Sequence, residues 1–283
     1  MQIIETIAEI RKELARYRRA DKIIGFISTL GNLHDGHISL IRKARDECDI
    51  VVAGIFLNPS HFGPGEDLEK YPRTFAEDCD RLRAARCDIL FAPSVQEMYP
   101  LGLYAQTKVE VPLLTRHHCA VSRPHLFGAI ATVVTKLLNI IQPDVAYFGE
   151  KDYQQLAVVK RMVETLNIPT KIASGPTIRE SNGLAMSSRN NYLSEEKKNH
   201  AAHLYRCMLE AREAVLHGET DFMRLSERLN RDLKKGGFEP DYVNFAHPET
   251  LEPATADDRR VVLLAAAYLD GVRLIDNLMI ERR

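Results

Sequence analysis

The sequence has no pair of cysteines at the spacing that zinc sites and redox motifs use. It contains five cysteines, Cys48, Cys79, Cys87, Cys119 and Cys207, and no CxxC occurs. An odd, scattered set of cysteines excludes a complete disulfide framework and argues against a cysteine zinc site. We therefore expect reduced thiols in a cytosolic compartment, and we predict no protein-held metal.

Long hydrophobic runs are also missing. No stretch approaches the ~18 consecutive apolar residues that a membrane-spanning helix needs. Residues 1–20 mix charged and apolar side chains at helical spacing and have no uninterrupted apolar core of a signal peptide. These features predict a cytoplasmic protein that does not bind a membrane.

The chain carries almost no net charge. Lysine and arginine total 38 and aspartate and glutamate total 39, so the formal charge is −1 at pH 7. No basic stripe with interleaved aromatic residues occurs either. A nucleic acid or an anionic membrane is therefore not expected as a partner, although a local basic patch remains compatible with this balance.

Alternating strand and helix patterns fill the first 175 residues or so. Short apolar runs rich in β-branched residues predict strands at 22–29, 50–57, 87–93, 144–149 and 170–174, with an edge strand at 107–112. Helical patterns lie between them at 37–48, 74–86, 130–141 and 152–166. This alternation predicts an α/β fold with a doubly wound parallel sheet, in which ligands bind beyond the carboxyl ends of the strands.

The pattern changes after about residue 174. Two long helical segments, 195–216 and 220–235, precede three strand-like runs at 241–246, 260–269 and 272–278. We therefore predict two domains, a Rossmann-like domain over 1–175 and a smaller α+β C-terminal domain over 176–283.

The first motif with chemical potential is TLGNLHDGH, which follows a predicted strand and opens a helix. Gly31 and Gly36 allow close approach of a ligand to the backbone, and a helix N-terminus favours a phosphate group. His34 and His37 could donate hydrogen bonds to a phosphate as negative charge develops on it. The alternative is a glycine turn that carries two surface histidines.

A second motif, FGEKDYQQ, also follows a strand and opens a helix. Lys151 could neutralise phosphate oxygens, and Asp152 could accept a hydrogen bond from a ribose hydroxyl. A solvated helix start is the alternative interpretation of these two charges.

The third motif is MSSR, in which two hydroxyls precede Arg189. The guanidinium offers forked donors that match phosphate oxygens, so the run could act as a mobile phosphate clamp. In isolation, the run is more typical of an ordinary polar loop.

Together these motifs resemble one family. HxGH after the first strand is similar to the signature of the nucleotidyltransferase superfamily. HDGH, FLNPSHF, YPRT, SRP, ATVVTKLL, FGEKDYQQL, GLAMSSRNNYL and RLIDN occur in the order and near the spacing seen in pantothenate synthetases. The resemblance covers essentially the whole chain, and FGEKDYQQL and LAMSSRN are its most specific parts.

The resemblance implies an AMP-forming ligase of pantothenate biosynthesis that joins pantoate to β-alanine through a pantoyl adenylate, with Mg²⁺ accompanying ATP. It implies a homodimer and a C-terminal domain that acts as a lid. The residues that it assigns to catalysis are His34, His37, Lys151 and Arg189. Those that it assigns to ATP are Leu30, Gly31, Asn32, Leu33, His34, Asp35, Gly36, His37, Gly149, Glu150, Lys151, Asp152, Ile178, Met186, Ser187, Ser188 and Arg189. Those that it assigns to pantoate or β-alanine are Asn58, His61 and Gln155.

The chain departs from the family pattern mainly on the pantoate side. His61 stands where the family usually has glutamine, Leu126 replaces a histidine, and Gly128 replaces an arginine. His125, one residue earlier, could take over the lost role. Leu30 in place of methionine conserves volume. We therefore predict ordinary ATP binding with weakened or shifted recognition of the acid.

Two rival functions remain open at the level of sequence. A related nucleotidyltransferase could transfer AMP to another acceptor, since HxGH alone does not specify the acceptor. A degenerate, nucleotide-binding member could act as a regulator. Its support is the set of substitutions at 61, 126 and 128, while His34, His37, Lys151 and Arg189 argue for an enzyme.

Overall fold

The computed structural model describes residues 1–282 and contains two β-sheets. The larger sheet is parallel and has six strands, β1 (Gln2–Ile4), β2 (Ile24–Thr29), β3 (Ile50–Ile55), β4 (Ile89–Phe91), β5 (Val145–Gly149) and β6 (Lys171–Gly175). Their order in the sheet is β1-β4-β3-β2-β5-β6. The chain thus builds outward from β2 through β3 to β4, and then returns to add β5 and β6 on the other side of β2.

Helices connect these strands. They are α1 (Ile7–Arg19), α2 (Asp35–Glu47), α3 (Phe75–Ala84), α4 (Val95–Met98), α5 (Cys119–Ser122), α6 (Leu126–Ile141) and α7 (Tyr153–Thr165). Short 3-10 turns cover Pro59–His61, Leu103–Ala105 and Glu150–Asp152.

Both faces of the larger sheet are buried. Ile27 faces a cluster that includes Ile41 of α2 and Leu82 of α3. Its neighbour Phe26 points to the opposite face, because side chains alternate along a strand, and it too is buried. A parallel sheet covered on both faces confirms the predicted doubly wound α/β class.

The reversal of strand order places β2 beside β5. In doubly wound sheets this switch point leaves a crevice at the carboxyl ends of the two strands, where ligands bind. The segment after β2 begins at Leu30, and the segment after β5 begins at Glu150. Two of the three sequence motifs therefore start at the switch point.

The C-terminal part contains a second, antiparallel sheet. Helices α8 (Glu195–Ala201), α9 (His203–Leu216) and α10 (Phe222–Lys235) precede β7 (Glu239–Ala246), β8 (Arg260–Leu269) and β9 (Val272–Glu281), and a 3-10 turn covers Ser188–Tyr192. The strands lie in the order β7-β8-β9. The apolar face of α10, which includes Leu225, Leu229 and Leu233, joins a core with Val243 and Leu263 of the sheet.

The chain divides into two compact units. The first contains residues 1–111, 125–150 and 158–176, and the second contains 112–124, 151–157 and 177–283. Two short segments, 112–124 and 151–157, thus group with the C-terminal sheet by their contacts. The domain limits 1–175 and 176–283 and the lid role stay predictions.

Several local predictions were wrong. Residues 107–112 form no strand, because the Val109 N–H donates to the Thr132 hydroxyl (2.9 Å) instead of to a neighbouring strand. The predicted helix 195–216 is two helices, which meet at Ala202. The edge strand β1 was not predicted. It ends before Thr6, whose side chain caps α1, and a run of three strand residues is too short for a clear pattern.

Within residues 1–282, no helix has the length and apolar character needed to cross a membrane. All five cysteines are free and buried. Burial raises the pKa of the Cys87 thiol to about 12.

Candidate active site

The loop between β2 and α2 brings the two motif histidines together. His34 is the N-cap residue of α2, and the two imidazole centroids lie 4.0 Å apart. The Gly36 N–H donates to His34 Nδ1 (3.1 Å), and the His34 N–H donates to His37 Nδ1 (3.3 Å). A ring nitrogen that accepts carries no proton, so each neutral ring holds its proton on Nε2. The end of the loop and the first turn of α2 therefore supply two Nε2–H donors at the positive end of that helix.

The backbone of this loop is held by a buried carboxylate that sequence analysis did not identify. Asp78 of α3 accepts from the Asn32 N–H (2.9 Å) and from the Leu33 N–H (2.7 Å). Its side chain also accepts from the Thr74 hydroxyl (3.3 Å) and is almost fully buried. Asp78 lies on the buried face of α3 together with Cys79, where a carboxylate needs hydrogen-bond donors.

Gly31 allows the loop to approach this carboxylate. Its φ of +88° lies in the left-handed region, and a Cβ added there would lie 3.3 Å from Asp78 Oδ2. Its N–H donates to the Thr29 hydroxyl (3.2 Å), which in turn donates to the Gly54 carbonyl (3.1 Å). The turn is thus tied to β2, β3 and α3. Asp35 is exposed, and its carboxylate pairs with Arg81 (3.1 Å).

A second group of the first unit surrounds Asn58, after β3. Asn58 is fully buried, and its Oδ1 accepts from the Ser60 N–H (3.2 Å) and the Tyr99 hydroxyl (3.1 Å). Among the described residues 1–282, its Nδ2 has no acceptor. Burial raises the pKa of the Tyr99 hydroxyl, with hydrogen bonds to Ser60 and Asn58 opposing this, so Tyr99 stays a neutral donor. An unpaired buried donor is costly, which makes Nδ2 a candidate contact for a ligand oxygen.

His61 and His125 belong to the same region of the first unit. Helix α6 packs against the Pro59–His61 turn, and His125 directly precedes α6. A Cβ added to Gly63 would come within 2.7 Å of His125 Cε1, so only glycine lets this imidazole approach the turn so closely. His125 is exposed, whereas the next residue, Leu126, is buried.

The charged residues of the second motif directly follow β5, which ends at Gly149. Glu150 accepts from the Ser174 hydroxyl (2.7 Å), so its carboxylate is engaged within the first unit. The Lys151 side chain is 18% exposed, and its amine lies 3.9 Å from the half-exposed carboxylate of Asp152. Lys151 thus remains only loosely paired and could approach a phosphate.

The two adjacent glutamines of the motif have different surroundings. Gln154 is buried and donates to the Leu114 and His117 carbonyls (2.9 Å each), while its oxygen accepts from the Cys119 N–H (3.1 Å). Gln155 is half-buried and takes no part in that network. Gln154 therefore holds segment 112–124, and the contact of Gln155 with pantoate stays a prediction.

The third motif lies in the second unit. The Met186 N–H donates to the Ile178 carbonyl (2.9 Å), so these two residues are paired. The Ser187 hydroxyl accepts from the Arg189 N–H (3.3 Å) and caps the Ser188–Tyr192 turn. Ser188 is buried, whereas Arg189 is half-buried. The motif is therefore an ordered turn with a basic side chain at its start.

Comparison with known proteins identifies the family. A family model described as pantoate-beta-alanine ligase matches residues 2–279. A pantothenate synthetase of Pseudomonas fluorescens (strain Pf0-1) is 51% identical over 278 residues, which cover 98% of this chain and 97% of the relative.

Two solved structures are similar over nearly the whole chain. The pantothenate synthetase of Thermus thermophilus has a TM-score of 0.91 at 43% identity, covering 98% of this chain and 99% of that one. The pantoate-beta-alanine ligase of Francisella tularensis, in complex with beta-gamma ATP and beta-alanine, has a TM-score of 0.81 at 33% identity, covering 99% and 97%. The family model and the full-length similarity to these relatives show that this chain belongs to the pantoate-beta-alanine ligase family.

Proposed function

We propose that this protein uses ATP to condense pantoate with β-alanine, giving pantothenate, AMP and pyrophosphate through a pantoyl adenylate. The observation that carries the proposal is the pair of Nε2–H donors of His34 and His37 at the start of α2. They lie beyond the carboxyl end of β2, at the switch point of the sheet. Family membership supplies the substrates.

The first chemical step activates an unreactive acid. A carboxylate oxygen of pantoate attacks the α-phosphorus of ATP, a new O–P bond forms, and the bond to pyrophosphate breaks. Negative charge builds on the phosphate oxygens during this exchange. Fixed donors aimed at such oxygens stabilise the transition state without reorganisation, and this is the role that we assign to His34 and His37. No proton has to move in this step.

The second step forms the amide. The neutral amine of β-alanine attacks the acyl carbon, AMP leaves with the electrons of the acyl–oxygen bond, and the amine proton is lost to solvent or a base. Adenylation is needed because a free carboxylate is a poor electrophile at neutral pH.

We assign the nucleotide to the three motifs. Leu30 to His37 would contact the triphosphate, and Gly149 to Asp152 would hold adenosine and phosphates, with Lys151 on phosphate and Asp152 at the ribose. The Ile178 backbone would contact adenine, and the segment Met186 to Arg189 would clamp the phosphates. The loose pairing of Lys151 and the exposure of Asp152 support these assignments.

Mg²⁺ would enter as the ATP complex. This ion keeps several waters and usually binds substrate phosphates with few protein ligands. We assign it no protein ligand. In the described part of the chain, residues 1–282, no group of three or more His, Cys, Asp and Glu residues could hold a metal ion. The ion would neutralise phosphate charge in the first step.

We further propose a cytoplasmic homodimer. The location is supported by the five cysteines, which are all free thiols. The dimer follows only from the family resemblance, and light scattering of the purified protein would test it.

The acid would bind near Asn58, His61 and Gln155. The buried Nδ2 of Asn58 offers a donor to a substrate oxygen, and His61 stands where the family usually has glutamine. The His125 ring lies beside Gly63, two residues after the Pro59–His61 turn, and could take over the role of the histidine that Leu126 replaces.

His61→Gln is therefore expected to lower the KM for pantoate about fivefold and to leave the KM for ATP unchanged, since one hydrogen bond is worth about 1 kcal/mol. Steady-state kinetics with each substrate varied would measure both constants. His125→Ala, made in parallel, should raise the KM for pantoate alone if that imidazole contacts the acid. A wild-type KM for pantoate equal to that of relatives with glutamine would remove the idea of altered acid recognition.

Release of pyrophosphate distinguishes the proposed function from its rivals. We expect pantoate to support ATP–pyrophosphate exchange, and net pantothenate formation to need β-alanine as well. Turnover with a different acceptor and none with pantoate would favour another nucleotidyltransferase. ATP binding without any turnover would favour a degenerate regulator.

A further inference from the structure

We propose that Asp276 and Asn277, consecutive residues of β9, are positioning residues for the nucleotide. They fix two separate segments, the hairpin that carries Ile178 and Met186 and the backbone of Lys151, to one strand of the second unit. This inference rests on the proposed function, because it takes those segments to bind ATP.

The first segment is a hairpin with its own backbone pairing. Arg179 and Ala185 form an antiparallel bridge, and the Glu180 N–H donates to the Leu184 carbonyl (2.8 Å). The Met186 N–H donates to the Ile178 carbonyl (2.9 Å) at the open end. Ile178 and Met186 therefore move together, and whatever holds the hairpin sets the position of both.

Arg179 attaches this hairpin to β9. Its guanidinium makes two hydrogen bonds to the Asp276 carboxylate (2.6 and 2.9 Å). It also donates to the Gly183 carbonyl (3.1 Å) and lies over the Tyr205 ring at 3.6 Å. The Asp276 side chain is only 3% exposed. A forked, buried ion pair of this kind fixes orientation as well as distance.

Asn277 attaches the second segment. Its Nδ2 donates to the Lys151 carbonyl (2.9 Å), and its own N–H donates to Asp276 Oδ1 (2.8 Å). The Asn277 side chain is buried as well. Asn277 therefore holds the carbonyl of Lys151, which we propose to contact phosphate, and its neighbour Asp276 holds the hairpin.

Side chains alternate along a strand, so Asp276 lies on the face of β9 that carries core residues, and Asn277 lies on the opposite face. Leu274 and Ile280 of β9 belong to the C-terminal core, whereas Asp276 and Asn277 are polar and also buried. Burying polar groups is unfavourable unless each is hydrogen-bonded, so their partners explain their presence. Those partners are the two segments proposed to bind ATP.

Asn277→Ala tests the inference. It removes the donor to the Lys151 carbonyl, and we expect the KM and the Kd for ATP to rise about tenfold, the equivalent of about 1.4 kcal/mol. The KM for pantoate should stay within about twofold. Asn277→Asp places an acceptor against that carbonyl and should raise both ATP constants further. Kinetics and calorimetry with ATP would give the values.

Leu274→Ala is the matched control on the same strand. It should lower the Tm at least as much as Asn277→Ala, because Leu274 is buried in the core, and it should leave the KM for ATP unchanged. If Asn277 had a purely structural role, the KM and the Kd for ATP would change equally in both variants or in neither. Either result would overturn the proposal.

Calorimetry separates this inference from the proposed function. If the wild-type protein binds ATP but forms no pantothenate, the proposed function fails, and the Kd for ATP still tests the positioning role. If it forms pantothenate and Asn277→Ala keeps a wild-type Kd for ATP, the positioning role alone fails.

Discussion

His37→Ala is expected to lower turnover about 100-fold or more, the usual loss when one preorganised donor to a developing charge is removed. The ring of His37 has two roles in the loop. Its Nδ1 accepts from the His34 N–H (3.3 Å), so the proton of the neutral ring lies on Nε2, the donor that we propose for phosphate. Single-turnover measurement of adenylate formation would report the loss directly at the step where it arises.

Two milder variants separate these roles. His37→Gln keeps an N–H donor near the position of Nε2, whereas His37→Asn keeps an acceptor near the position of Nδ1. Glutamine should retain more activity than asparagine if the donor to phosphate matters. His217→Ala, at an exposed histidine of the α9 C-terminus, is the control and should be silent. A loss below about tenfold in His37→Ala would point to His34 or Lys151 as the main stabilising group.

Asp78→Ala is expected to lower the free energy of unfolding by about 3 kcal/mol, because it leaves two buried backbone N–H groups without an acceptor. Those groups belong to Asn32 and Leu33, in the loop that carries the histidines. Activity should fall as well, since the loop loses its anchor. Urea unfolding of both proteins would measure the difference.

Asp80→Ala is the matched control on the same helix. Its side chain is 78% exposed and pairs with the exposed Arg83 at 2.8 Å. Removing an exposed ion pair should change the free energy of unfolding by no more than about 0.5 kcal/mol. An equal loss of unfolding free energy in the two variants would show that the contacts of Asp78 with the loop do not stabilise the protein.

The sheet and the histidine loop were predictable because their signals are local. Residues 22–29 form a compact β-branched run that ends at a glycine turn, and the observed strand β2 lies within this run. The apolar stripe of 130–141 likewise lies within α6, which starts four residues earlier. Long segments with a clear period can therefore be predicted from their own residues.

The residues that hold the site were not predictable because their partners are far apart in the chain. Asp78 contacts the backbone of a loop 45 or 46 residues away, and Asn277 contacts Lys151 across 126 residues. Nothing in a single sequence specifies such pairs. The strand predicted at 107–112 is an error of the opposite kind. Its alternating pattern favoured a strand, but the Val109 N–H donates to the side chain of Thr132 in α6.

The division of labour between Gln154 and Gln155 affects how a mutational scan of this enzyme should be interpreted. Gln154 alone joins three peptide groups of segment 112–124, so a change there would disturb that segment. Loss of activity at either position would look the same in a growth assay. Only thermal melting measured beside catalysis would separate a disturbed segment 112–124 from the loss of the substrate contact that we propose for Gln155.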